Sequence, residues 1–216
     1  MLCICQRGGL ANRLLTVLSH VSHERSQQRS TLVFWPSSRD FNGTFEECFQ
    51  PVDGMIQMPV HPVMEYADIK EFTIHPLADW SVLKELQPSD EVASLLPEGQ
   101  YDAVHIRRTD LSEHIRKCGW AGERALEEYD RFIEDSKAPF VWLATDNAET
   151  QARMLDRHGD RVRVAERIVP TGEYRQTRGV VAAADLLACG RAERLLGSRH
   201  STFSNFAVML SLQVKY

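Results

Sequence analysis

The strongest constraint on this chain is its alternation of short apolar runs with amphipathic stretches, punctuated by glycine and proline. Met1–Cys5 reads as a strand, broken by Gly8-Gly9. Leu10–Arg29 follows, with apolar residues at Leu10, Leu14, Leu15, Val17, Leu18 and Val21, the spacing of a helix with one buried face. Thr31–Trp35 is a second strand, closed by Pro36 and the polar Ser37-Ser38. Strand, glycine turn, helix and strand make a βαβ unit, and such units build parallel sheets. Phe45–Phe49 suits a short helix, and the proline-rich stretch from Pro51 to Pro76 suits short strands and loops. Trp80–Leu86 and Ser89–Leu96 are predicted helices, with Ser89 as N-cap of the second.

Pro97-Glu98-Gly99-Gln100 is the expected boundary between an N-terminal domain, 1–97, and a second domain, 98–216. After it the alternation restarts with strand Ala103–Arg107, helix Glu123–Ser136, strand Phe140–Thr145 and helix Ala148–His158. A short strand at Arg161–Ala165, a helix Arg178–Cys189, a strand Arg194–Gly197 and a helix from Phe203 complete it. The predicted class is therefore α/β, with two Rossmann-like halves facing a cleft and the N-terminal half reduced.

Bulk properties remove several function classes. The longest apolar stretches, Val180–Ala188 and Phe203–Leu212, fall short of the roughly 20 residues a membrane span needs. No basic stretch followed by an apolar run opens the chain, so no secretory signal is expected and a cytoplasmic location is. The net charge of −5 and the lack of a basic block argue against nucleic acid as a partner. Five cysteines, Cys3, Cys5, Cys48, Cys118 and Cys189, show no paired spacing, which fits a reducing compartment better than a disulfide framework. Cys3 and Cys5 lack the further ligands a structural zinc requires and read as buried thiols.

Four segments carry chemistry. Gln6–Arg13 lies between a strand and a helix, where glycines admit a ligand to the backbone and helix N–H groups attract anions. Gly8, Gly9, Asn12 and Arg13 are its candidate contacts. It lacks the Gly-Lys-Ser/Thr ending of a Walker loop, which argues against a P-loop sulfotransferase or kinase. The second segment, Val104-His105-Ile106-Arg107-Arg108-Thr109-Asp110, sets two arginines at the end of a strand. Each guanidinium stays charged and needs a partner; a diphosphate at such a sheet edge meets that need, and so does a surface Arg–Asp network. Asp110 is placed to orient one arginine. In the third, Trp142–Asn147, a strand runs into a polar turn where Asp146 is the expected helix cap. In the fourth, Gly197–Phe206, small hydroxylated residues between strand and helix offer donors to a phosphate.

Together these segments resemble the fucosyltransferase-like glycosyltransferases, the group that includes core-fucosylating, Nod-factor and protein O-fucosyltransferases. Gly8–Arg13 is similar to the family's Gly-Gly-Leu-(Gly/Ala)-Asn-(Arg/Gln) turn, and His105–Asp110 matches its His-x-Arg-Arg-x-Asp signature. Ala144–Asp146 matches its Ala-Thr-Asp strand end, and Ser201–Ser204 its Ser/Thr-Phe-Ser stretch. The resemblance covers nearly the whole chain. It implies a GT-B fold, a nucleotide-sugar donor, a glycan acceptor and no cofactor. It further implies Arg107 at the donor β-phosphate, Arg108 in support, His105 near the nucleotide, Asp185 at the base, and Ser201 and Thr202 at the phosphates.

Inverting transfer without a metal requires arginine and helix-terminal N–H groups to stabilise the departing diphosphate, and the chain carries no Asp-x-Asp motif. The resemblance suggests Glu113 as the base that deprotonates the acceptor, with a surface salt bridge as its alternative role. Full enzymes of the family are longer than 216 residues, so a reduced acceptor side is expected. GDP-fucose is the expected donor; a UDP-linked sugar on the same scaffold, or a non-catalytic sugar-binding module, are the rivals.

Overall fold

The computed structural model describes residues 2–4, 8–38, 40–58, 74–108, 122–169 and 177–214. Asp110 and Glu113 lie outside the described residues, as do Gln6 and Arg7 of the first motif. Two parallel sheets form, one from each part of the chain. The first has the order β1-β2-β3, built from β1 (Leu2–Ile4), β2 (Thr31–Phe34) and β3 (Met55–Gln57). Leu2 pairs with Leu32, and Leu32 with Ile56. Helix α1 (Leu10–Ser26) joins β1 to β2. It ends three residues before the predicted Arg29, because Gln28 takes a φ of 56° and Arg29 N–H returns to the Glu24 carbonyl. That reversal feeds the chain directly into β2.

The short helix α2 (Phe45–Cys48) opens on Thr44, whose side chain accepts from Glu47 N–H while Glu47 reaches back to Thr44 N–H. A 3-10 segment, Trp80–Glu85, replaces the predicted α-helix there; helix α3 (Asp90–Leu95) is capped by Ser89 as expected. The first sheet is covered unequally. Val33 packs into the core, but its neighbours Leu32 and Ile56 are 39% and 50% exposed on the other face.

The second sheet has the order β6-β5-β4-β7, from β4 (Asp102–Ile106), β5 (Val141–Thr145), β6 (Val162–Arg163) and β7 (Leu195–Leu196). Its connecting helices are α4 (Leu126–Asp135), α5 (Ala148–His158) and α6 (Gly179–Arg191); α7 (Thr202–Val214) follows β7. Every residue of β4 and β5 is buried, as central strands of a parallel sheet covered on both faces should be. Side-chain alternation divides them. Val104, Ile106, Val141 and Leu143 pack with Tyr129, Ile133 and Met154 of α4 and α5. Ala103, Trp142 and Ala144 face the opposite way, toward α6 and α7. The predicted strand at Arg161–Ala165 shrinks to two residues because a 3-10 turn, Gly159–Arg161, takes its start.

One apolar cluster runs through both parts of the chain, from Leu14 and Val17 of α1 through Ala184 and Leu187 of α6 to Phe206 and Leu210 of α7. Helix α7 therefore returns to pack against α1, and the two sheets are held by shared helices rather than by a linker. The halves also meet at backbone level. Gly179 N–H donates to the Asn42 carbonyl at 2.7 Å, and a Cβ on Gly179 would stand 2.5 Å from that oxygen.

Arg13 corrects an expectation. It was expected to face a ligand but has no exposure. Its Nε donates to the Gly8 carbonyl (3.0 Å), Nη1 to the Pro36 carbonyl (2.6 Å) and Nη2 to Ser38 Oγ (2.7 Å). The guanidinium also lies 5.4 Å from the Trp35 ring and 5.5 Å from Phe41. Because this buried charge is bonded to both loops, it fixes the loops after β1 and β2 to each other. Arg13→Met should destabilise the fold by on the order of 2–4 kcal/mol, since each buried acceptor left unpaired costs about 1–3 kcal/mol. Urea unfolding of the two proteins measures it; an unchanged midpoint would contradict this role.

Candidate functional site

The C-terminal ends of both sheets open on one cavity. Gly9–Asn12 line it from the first turn of α1, and Asp40, Phe41 and Asn42 from the loop after β2. His105 and Arg107 enter from β4, Thr145 and Asp146 from β5, Asp185 from α6, and Thr202 and Phe203 from the start of α7. Two helix N-termini, those of α1 and α7, thus point their unpaired N–H groups at the space that Arg107 borders. That set favours an anion.

The strand end that carries the double arginine is held by its neighbours. Ser198 Oγ donates to the His105 carbonyl (3.0 Å) and accepts from Arg107 N–H (2.8 Å). Thr145 Oγ1 donates to the Ile106 carbonyl (2.7 Å), and Asp146 Oδ1 accepts from Arg108 N–H (2.9 Å). This last bond corrects the expected cap. Asn147, not Asp146, caps α5, its side chain accepting from Thr150 N–H at 2.7 Å. Asp146 instead joins the two central strands at their ends and faces the cavity.

The adjacent arginines part company. Arg107 lines the cavity, whereas Arg108 is ion-paired to Glu123 and does not. The sequence reading paired an arginine with Asp110; among the described residues Glu123 does that for Arg108. His105 is buried, stacked on Phe203 with ring centroids 4.4 Å apart, and its Nδ1 lies 2.7 Å from Ser204 Oγ. Burial, with the positive charge of Arg107 beside it, pushes its pKa down to about 3, so the ring is neutral at ordinary pH.

The remaining expected residues divide. Gly9, Asn12, Thr202 and Asp185 line the cavity. Gly8 does not: it adopts a φ of 83° and its N–H donates to Asp40 Oδ2 at 3.1 Å. Ser201 does not either. It is fully buried, and its Oγ has no hydrogen-bond partner among the described residues, so Thr202 is the hydroxyl presented to the cavity. Asp40, Phe41 and Asn42 were missed. The signal available was their place after the end of β2, since ligands of parallel sheets gather at strand C-termini.

Asp185 is the buried acid of the site. Its Oδ1 accepts from Trp142 Nε1 at 2.9 Å, and burial pushes its pKa from 3.8 up to about 8 against the pull of that bond.

The chain is similar in structure to the crystal structure of fucosyltransferase NodZ from Bradyrhizobium, with a TM-score of 0.61 and 15% sequence identity over 97% of this chain and 93% of that one. NodZ alpha-1,6-fucosyltransferase co-crystallized with GDP matches with a TM-score of 0.60, at 15% identity over 97% and 92%. POFUT1 in complex with GDP matches with a TM-score of 0.57, at 14% identity over 97% and 93%. No family model matches the sequence, and neither does any curated protein. At these identities the likeness shows the fold: the α/β architecture of GT-B type that these fucosyltransferase structures share with this chain.

Two buried groups give stability opposite pH dependences. Folded Asp185 keeps its proton up to about pH 8, whereas the unfolded chain releases it near 3.8. Its contribution is full below about pH 4 and is lost as pH rises to 8. His105, lowered from 6.5 to about 3, contributes fully above 6.5 and loses that contribution as pH falls. Asp185→Asn should therefore remove part of the decline in unfolding free energy between pH 5 and pH 8. Denaturation of both proteins at the two pH values checks this; parallel declines would place the Asp185 titration elsewhere.

Proposed function

We propose that this chain is a glycosyltransferase that moves fucose from GDP-fucose to a hydroxyl of a glycan acceptor, with inversion at the anomeric carbon and without a metal ion. The observation that carries the reading is the convergence of Arg107 and the N-termini of α1 and α7 on one cavity. The fold likeness supports it, and two of the similar structures hold GDP.

The donor fits with its diphosphate at Arg107 and the Thr202–Phe203 N–H groups. Charge builds there as the sugar–phosphate bond breaks, and fixed donors in a confined site stabilise it without reorganising. This division of labour lets an arginine and two helix ends do what a divalent cation does in metal-dependent sugar transfer. The base fits at Asp185, beside neutral His105. An ionised carboxylate accepts two parallel N–H bonds, and the guanine edge offers such a pair whereas uracil offers a single N–H between carbonyls. The acceptor then approaches from the side of the first sheet, and a single in-line displacement inverts the anomeric carbon. A reducing cytosol is the compartment we assign, in keeping with the buried free thiols of Cys48 and Cys189.

Thermal-shift measurements with GDP, UDP, CDP and ADP, with and without EDTA, test the reading. A rise specific to GDP and indifferent to EDTA is expected; a rise with UDP alone would keep the fold and change the sugar. Arg107→Ala should lower kcat by about 10²–10³, the loss seen when one charge-stabilising donor is removed. Near wild-type turnover in that variant would remove the central claim.

The pH dependence of binding is a separate test. Asp185 must ionise to accept two guanine N–H groups, and its pKa of about 8 makes that cost fall as pH rises. GDP affinity should increase from pH 6 to pH 8 by up to about tenfold per unit. Asp185→Asn should abolish that slope, as titration calorimetry at the two pH values will show.

A further inference from the structure

We infer that Asp40 takes the proton from the acceptor hydroxyl, making it a catalytic residue supplied by the first sheet; this rests on the fucosyl-transfer reading above. Among the described residues, three carboxylates line the cavity: Asp40, Asp146 and Asp185. Asp185 is buried against Trp142. Asp146 is held at the strand end by Arg108 N–H. Asp146 follows β5 and Asp185 lies on α6, both in the part of the chain that carries Arg107. Asp40 comes from the other side, on the loop after β2, half-buried and bordering the cavity.

Its setting is that of a positioned group. Gly8 N–H donates to Oδ2, and Asp40 N–H donates to Ser38 Oγ at 3.2 Å. That Ser38 hydroxyl in turn accepts from the buried Arg13 guanidinium. The next two residues of the loop, Phe41 and Asn42, also line the cavity, and the Asn42 carbonyl is anchored to Gly179 N–H across the junction of the two halves. The carboxylate is thus fixed from both sides, on the first-sheet side of the cavity.

The step balances. The acceptor O–H proton passes to an Asp40 carboxylate oxygen as the acceptor oxygen bonds to the anomeric carbon. The bond from that carbon to the β-phosphate oxygen breaks, and its electron pair leaves with GDP, beside Arg107. The products are the fucoside, GDP and one proton, later lost from Asp40 to water.

The experiment uses the full chain with GDP-fucose, a panel of simple glycosides as acceptors, and water as the default acceptor, reading GDP release. Asp40→Asn keeps the size of the side chain and an oxygen for the Gly8 bond. It should lower kcat at least about a hundredfold and leave the GDP Kd within about threefold. Asp40→Glu, which restores a carboxylate one methylene away, should regain measurable turnover. Wild-type turnover in Asp40→Asn, or no recovery in Asp40→Glu while both variants bind GDP normally, would overturn the assignment while fucosyl transfer stood. Loss of folding or of GDP binding in both variants would also overturn it, in favour of a purely structural carboxylate. A wild-type chain that neither binds GDP nor consumes GDP-fucose would instead sink the underlying reading, and the assignment with it.

Discussion

The guanidinium of Arg13 keeps its charge at any accessible pH and has no contact with solvent. Such a group is tolerated only where acceptors surround it, and the chain supplies them from two loops that are distant in sequence. The carbonyl of Gly8 follows β1; the carbonyl of Pro36 and the hydroxyl of Ser38 follow β2. The aromatic faces of Trp35 and Phe41 take up the remaining field. Those loops form the first-sheet wall of the cavity, so its geometry is set by a buried charge rather than by loop stiffness. Lysine cannot substitute. A single ammonium lacks the planar fork that reaches acceptors in both loops.

The opposite wall is organised by burial of β4 and β5 on both faces. Their ends project beyond the sheet, where backbone groups have lost their ladder partners. Ser198, Thr145 and Asp146 replace those partners, each by side-chain bonds to the His105–Arg108 backbone. The result is a strand end rigid enough to hold one arginine toward the cavity and the next away from it. Neutral His105 belongs to the same arrangement. A charged imidazole beside Arg107 would carry both a desolvation cost and a like-charge repulsion, so the ring stays uncharged and packs on Phe203. The positive charge of the site is concentrated on Arg107 and the helix ends.

Much of this was legible in the sequence because it rests on local patterns. Apolar spacing located α1, β2, β4, β5 and α5 to within a few residues, Ser89 caps α3 as expected, and α7 starts one residue before the expected Phe203. His105, Arg107 and Asp185 do converge. What escaped depends on distance in space. Whether Arg13 faces a ligand or three buried carbonyls is decided by the position of Pro36 and Ser38, which periodicity does not report. Asp146 and Asn147 are equally good caps by type, and the choice went to Asn147 because the Arg108 N–H had already engaged Asp146. Ser201 reads as a phosphate ligand until the packing of α7 turns it inward. Asp40 was marked only by its place after β2; a lone acid in a polar turn gains meaning from what stands across the cavity.

The contact between Gly43 and Gly179 shows why the cavity lies between the halves and not inside either. A Cβ on Gly43 would stand 3.2 Å from Gly179 Cα, and one on Gly179 would be 3.0 Å from Gly43 Cα. Two glycines facing each other let the backbones approach as closely as strands in a sheet do, and the Gly179–Asn42 bond closes that approach. The shared apolar cluster of α1, α6 and α7 resists sliding of the two sheets past one another. Close packing behind the cavity and a backbone junction at its side leave the halves little freedom there. A reaction that needs a leaving group held by one half and a proton accepted by the other depends on that separation staying constant. Beside the three short strands described in the first sheet, the two-glycine junction supplies that constancy.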